Sequence, residues 1–233
     1  MLKFFEKYPE ILAVLSERKD GSMKLFNNSN INVENRNRFF EKIGIDENSV
    51  VAAEIVHKSN VETIYDSSVK VIPEVDGLAT NKQNIFLSIT VADCIPVYFY
   101  EPERKIIALA HCGWRGIIQE IIKNTLEKIE NLGGNAQNFE VALGPGIDKC
   151  HFEIKEDILN QFKKYPNFIE KRDSKIFIDL KGIIRKQLTE IGIKPENIEE
   201  SDECTFENHS KYFSYRKDKP KAIEAMVAVI GYK

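Results

Sequence analysis

A chain of 233 residues with 42% hydrophobic content has enough apolar side chain to bury a core, which excludes a disordered or fibrous protein. Its 33 basic and 36 acidic residues leave a formal charge of -3, and their even spread gives no electrostatic footprint for nucleic acid or an anionic membrane. The expectation is one globular domain over residues 1–233 acting on a small molecule.

Met1 to Lys7 lack the apolar core of a signal peptide, and no window approaches the roughly 20 apolar residues of a membrane span. A cytoplasmic location is expected. In that reducing compartment the four cysteines read as ligands, nucleophiles or small core residues, and not as a disulfide framework.

In chain order, Leu12 to Leu15 predicts an opening strand, Lys19 to Ser22 a turn, and Asn27 to Asn32 a polar loop. Val33, Phe39, Phe40 and Ile43 fall at helical spacing before Gly44, predicting a helix over 33–43 that carries Asn35, Arg36 and Arg38. Val50 to His57 predicts a strand running into a histidine, and Ile85 to Val91, Val97 to Tyr100 and Ile106 to His111 three more. Gly116 to Leu132 repeats Ile and Leu every 3.6 residues and is closed by Gly133-Gly134, so one long helix is expected there. Phe139 to Leu143 predicts a strand opening into Gly144-Pro145-Gly146. Helices follow over Glu156 to Phe162 and Leu180 to Ile191, and the β-branched run Ala225 to Ile230 predicts a buried last strand. Interleaved strands and helices give an α/β class, with spacings too irregular for a simple doubly wound sheet.

The segments that carry chemistry stand at the ends of these strands. Ala92-Asp93-Cys94-Ile95-Pro96 and Ala110-His111-Cys112-Gly113-Trp114-Arg115-Gly116 place a thiol and an imidazole where strands end, and His57 ends a third. His57, Cys94 and His111 match the three-ligand set of a catalytic zinc, with the fourth position left for water or substrate. The same residues also allow Cys94 as a nucleophile with His111 as its base, and residue types alone do not separate the two readings. Asp93 and Asp76 stand near enough to orient a ligand histidine or carry a proton. Cys112, next to His111, faces the other side of a strand and belongs to the core. Cys150 sits in the loop after Gly144-Pro145-Gly146, while His151 and His209 carry no spacing signal.

Arg115, at the start of the predicted long helix, is suited to an anion held by free backbone donors and a bidentate guanidinium. Phe213-Ser214-Tyr215-Arg216 sets a second arginine among aromatics that can stack on a planar base.

Taken together, Ile55-Val56-His57, Ala92 to Pro96, Ala110 to Gly116, Gly144-Pro145 and Phe213 to Arg216 resemble, in the same order, the hallmark segments of the YfiH-type proteins. These are also called multicopper polyphenol oxidase (laccase) domain proteins, purine nucleoside phosphorylases or peptidoglycan editing factors. Val33 to Arg36 and Asp76 to Thr80 resemble further family segments. The resemblance implies a single layered α/β domain of mixed β-sheets flanked by helices, distantly like the glutamine-deamidating bacterial toxins. It also implies zinc, with copper as the alternative, on His57, Cys94 and His111.

The activity implied is phosphorolysis of adenosine, inosine, guanosine or methylthioadenosine, with adenosine deamination at the same site. Asn35, Arg36, Arg115 and Arg216 are the candidates for phosphate and substrate, and Cys94, His111 and Asp93 for catalysis. A Cys–His hydrolase acting on cell-wall amides is the alternative. A laccase-type oxidase stands behind both, because its copper cluster needs more histidines than the four present. The chain departs from the family pattern at Ser16 to Ser22, at Ile55 in place of glutamine, and at Lys217 to Pro220.

Overall fold

The computed structural model describes residues 1–25 and 30–233. The strands in chain order are β1 (Leu2–Phe4), β2 (Ile11–Leu15), β3 (Val50–Ala53), β4 (Val61–Thr63) and β5 (Val71–Ile72). Then come β6 (Gly77–Thr80), β7 (Phe86–Val91), β8 (Ile95–Glu101), β9 (Ile106–Cys112) and β10 (Glu140–Leu143). β11 (Glu153–Ile154), β12 (Ile169–Arg172), β13 (Lys175–Ile178), β14 (Ile198–Glu200) and β15 (Met226–Tyr232) follow. The helices are α1 (Asn30–Lys42), α2 (Trp114–Ile118), α3 (Ile121–Asn131), α4 (Glu156–Leu159), α5 (Leu180–Glu190) and α6 (Tyr215–Asp218).

Two six-stranded mixed sheets, ordered β1-β2-β15-β7-β3-β5 and β14-β10-β8-β9-β6-β4, form the centre, with a small sheet β11-β13-β12 to one side. The longest strands are apolar on both faces because each face has its own layer to meet. In β8, Tyr98 and Tyr100 point into the core between the two sheets, while Ile95, Val97 and Phe99 point out to the core under α2, α3 and α5. β9 alternates the same way, with Ile107 and Leu109 inward and Ile106, Ala108, Ala110 and Cys112 outward. On the other sheet, β15 gives Met226, Ala228 and Ile230 to the shared core and Val227 and Val229 to the core under α1, where Phe39 and Phe40 pack. The layers therefore run helix, sheet, sheet, helices, and each fully buried Ile or Leu among them contributes about 2 kcal/mol.

Three sequence expectations change. The helix expected over 116–132 is two helices, because Glu120 takes a left-handed backbone (φ 64°) between α2 and α3. The strand expected to reach His57 ends at Ala53, and His57 itself is left-handed (φ 58°). Helix α1 begins at Asn30, inside the expected polar loop 27–32, of which residues 27–29 lie outside the described residues. Cys112 is in the core, as its alternation with His111 required. No helix is long and apolar enough to cross a membrane among the described residues.

Candidate metal centre and substrate cavity

The chain leaves the first sheet at the end of β7 and enters the second at β8, and the connection is Ala92-Asp93-Cys94. Asp93 makes this turn in a left-handed conformation (φ 79°) that a non-glycine residue holds only when its surroundings fix it. Its carboxylate accepts from Thr205 Oγ1 (2.6 Å) and from the backbone N–H of Arg216 (2.6 Å), and its carbonyl accepts from Ile147 N–H (2.8 Å). Cys94 is thereby placed at the mouth of β8. The antiparallel register pairs Pro96 with His111 and Ile95 with Cys112, which brings His111 to the same end of the sheet.

Register also fixes the carboxylate behind the histidines. Gly77 pairs with Ala110, so Asp76, fully buried, stands opposite His111. Its backbone carbonyl accepts from His111 N–H (2.7 Å), and its two carboxylate oxygens accept from the N–H groups of His57 and Lys58 (2.8 Å each). Asp76 Oδ1 lies 3.2 Å from His111 Nδ1 without the alignment of a full hydrogen bond. This one side chain holds the left-handed turn at His57 and turns Nδ1 of His111 inward, leaving its Nε2 for the centre.

The result is a thiol and two imidazoles whose ligand atoms all lie within 4.8 Å of one another. The rings of His57 and His111 meet edge to face at 5.0 Å, His57 exposed and His111 buried. Gly113 forms the floor, since a Cβ there would come to 3.0 Å from Cys94 Sγ and 3.5 Å from His111 Cε1. Burial alone would push the Cys94 thiol up, but the imidazoles of His111 and His57 outweigh it and hold the thiol down at about 6. Burial would lower His111, and the charges of Cys94 and Asp76 instead raise it to about 9. The donor set, the carboxylate behind one imidazole and the small floor all fit a metal with an open position facing outward.

That position opens into a cavity of about 860 Å³, within the range of about 300–1,000 Å³ usual for small-molecule sites. Ile55, Val56, Trp114, Phe152, Ile158 and Tyr215 give it apolar walls, and Lys24, Arg115, Lys155 and Arg216 give it cations. The Arg115 guanidinium lies over the Trp114 ring at 4.4 Å. Arg216 donates to the carbonyl of Glu153 (2.8 Å) and lies over Phe152 at 5.4 Å. Neither arginine is in an ion pair among the described residues.

His57, Cys94, His111, Asp93, Arg115 and Arg216 are thus brought to one cavity, but Asn35 and Arg36 are not among its lining residues. Asn35 donates to the carbonyl of Ser22 (3.1 Å). Arg36 is buried, donates to Met23 O and Ser88 Oγ, and packs over Phe40, so it ties α1 to the first sheet. Burial lowers its guanidinium to about 10. Asp93 lines the cavity and accepts a hydrogen bond on each carboxylate oxygen, which makes it a strut between the Cys94 turn and the Thr205 and Arg216 segments. Arg115 sits on a five-residue helix, so the long-helix dipole expected behind it is not there. Sequence reasoning missed Lys24, Lys155 and Thr205, which reach the site from distant loops and show no motif.

Comparison with known proteins agrees with this architecture. The family described as multi-copper polyphenol oxidoreductase laccase matches residues 22–233. The purine nucleoside phosphorylase YlmD of Staphylococcus aureus is 34% identical over 181 residues, covering 76% of this chain and 67% of that protein. The crystal structure of the Bacillus licheniformis hypothetical protein YfiH superposes with a TM-score of 0.91 at 25% identity, covering 98% of this chain and 95% of that one. YlmD from Geobacillus stearothermophilus gives 0.90 at 25% identity, covering 98% and 94%. This chain belongs to the multi-copper polyphenol oxidoreductase laccase family, the YfiH-like group that includes proteins named purine nucleoside phosphorylase.

Proposed function

We propose that the protein is a purine nucleoside phosphorylase that holds zinc on His57, Cys94 and His111. The observation that carries this reading is the single cavity of about 860 Å³ that joins those three residues to aromatic walls and to Arg115 and Arg216. The relatives named purine nucleoside phosphorylase supply the reaction class.

A nucleoside presents a flat apolar base and a polar sugar, and its second substrate, phosphate, is an anion. Trp114, Phe152 and Tyr215 offer faces for the base. Arg115 and Arg216, with Lys24 and Lys155, hold phosphate and keep its charge paired while an oxygen attacks C1′ of the sugar. The glycosidic C–N bond breaks as the C–O bond forms, and the base leaves with the bonding electrons. Asp93 keeps the backbone of Arg216 and the turn before Cys94 in one rigid unit. Asp76 keeps His57 and His111 aimed at the centre. Zinc, when bound, supplies a Lewis acid that polarises a ring heteroatom or a water, the chemistry that adenosine deamination at this site also needs.

A second reading has one observation in its favour: the Cys94 thiol is held at about 6 beside a raised His111, a thiolate–imidazolium pair suited to attack an amide. A laccase is the weaker fit, since only two of four histidines meet here.

The test is release of hypoxanthine and ribose 1-phosphate from inosine, with and without phosphate and with and without a zinc chelator. Phosphate-dependent release that chelation abolishes is the expected result. Phosphate-independent release, or activity on amides that survives chelation and dies in Cys94→Ser, gives the site to the thiol hydrolase instead.

A further inference from the structure

We propose that Cys150, His151 and Cys204 form a second metal site, for a soft or borderline closed-shell cation of which Zn2+ is the probe. It is independent of the phosphorylase reading. The ligand atoms of these three residues also lie within 4.8 Å of one another, yet none of the three lines the cavity.

The geometry centres on one nitrogen. His151 Nδ1 is 3.0 Å from Cys150 Sγ and 3.7 Å from Cys204 Sγ. A tetrahedral zinc with bonds of about 2.3 Å to sulfur and about 2.0 Å to nitrogen sets its ligand atoms roughly 3.6 Å apart, a value that the two observed separations bracket. The imidazole is held in this aim by the ring of Phe206, stacked at 4.3 Å and 19°. Cys204 is buried and its sulfur accepts from the backbone N–H of Asp148 (3.4 Å), a bond that strengthens when the sulfur is a metal-bound thiolate. Glu207 Oε1 lies 3.7 Å from the same His151 nitrogen but outside the group of three, so the fourth position is left to water. Two thiolates and an imidazole suit zinc and disfavour magnesium or calcium.

Sequence position explains what such a site would do. Cys150 and His151 lie on the turn between β10 and β11, and Cys204 follows β14, so a cation would tie two loops that otherwise meet through the Gly146–Cys204 bridge and the Thr205 N–H to Gly146 O bond (3.0 Å). Thr205 next carries its hydroxyl to Asp93. The second metal is therefore a staple behind the cavity wall, with Asp93 as the link to the first centre.

The experiment is metal analysis of the reduced full-length chain after zinc loading and removal of free zinc. Wild type should hold two zinc ions per chain, and Cys150→Ala, His151→Ala and Cys94→Ala one each. In the cobalt-loaded form, thiolate-to-metal charge-transfer absorption should fall by about two thirds in the Cys150→Ala and His151→Ala proteins, if both thiolates leave with the second ion. Circular dichroism of both, matching wild type, shows that they fold. A single zinc ion per reduced wild-type chain that is lost in Cys94→Ala and kept in Cys150→Ala, two ions persisting in both Cys150→Ala and His151→Ala, or a Cys150–Cys204 disulfide that resists reductant overturns the proposal.

Discussion

Two groups of the same elements, thiol and imidazole, sit on either side of the Asp93 turn, and they differ in what stands behind and in front of them. At His57, Cys94 and His111 a fully buried carboxylate, Asp76, backs the ligands and the front opens into a cavity. At Cys150, His151 and Cys204 a ring and a backbone N–H do the backing, and the group stands outside the cavity. Open coordination beside cations and aromatic walls is what chemistry on a small molecule requires, whereas a group that joins two loops away from the cavity serves to hold them. Donor type alone therefore does not assign a role; the buried carboxylate and the opening to the cavity do.

Asp76→Ala should strike hardest and only on one side. It removes two charge-assisted hydrogen bonds, each worth about 1.5–3 kcal/mol, so a loss of about 3 kcal/mol in denaturant unfolding is expected, together with loss of zinc from the first centre. An unchanged unfolding midpoint would show that the carboxylate does not hold the His57 turn. Gly113→Ala comes next, with its Cβ 3.0 Å from Cys94 Sγ. Zinc affinity there should fall about 10-fold with the second group untouched; a competition titration with a coloured chelator reads both.

The first centre was the more legible of the two in sequence, for a physical reason. Strand periodicity places His111 and Cys94 at paired ends of β8 and β9 whatever the loops do, and the motif residues lie next to those ends. The layered fold was also legible, because apolar runs such as Val97 to Tyr100 and Ala225 to Ile230 need cover on both faces. The second group was not, since Cys204 comes from a segment far along the chain that reaches Cys150 only through the Gly146–Cys204 bridge. The Glu120 break hid for a similar reason: apolar spacing continues through it, and only a left-handed backbone reveals it. Arg36 was misjudged because charge on a helix reads as exposed, while here its stem and guanidinium are buried against Phe40.

Smaller effects sharpen the contrast. In metal-free protein the Cys94 pKa is depressed from 9.0 to about 6 and that of His111 raised to about 9, so the stability of this ion pair is lost as pH falls through about 6, where the thiolate is protonated, and as pH rises through about 9, where the imidazolium loses its proton. Alkylation of Cys94 by iodoacetamide should therefore rise with a midpoint near 6, and in His111→Gln that midpoint should move up; no movement would remove His111 as the cause. Phe206→Ala should weaken only the second zinc, by about 10-fold, as read in the same competition titration. Glu120→Gly relieves a left-handed residue that belongs to neither group and should raise stability by about 0.5 kcal/mol, leaving metal content unchanged.

The most direct measurement is stepwise return of zinc to metal-free protein while phosphate-dependent hypoxanthine release from inosine is followed, in wild type and in Cys94→Ala. Activity that is absent at the start, returns with zinc in wild type and never returns in Cys94→Ala is the predicted result. Metal-free wild type as active as the reloaded protein, or a Cys94→Ala protein that recovers with zinc, would contradict the assignment of His57, Cys94 and His111 as the working centre.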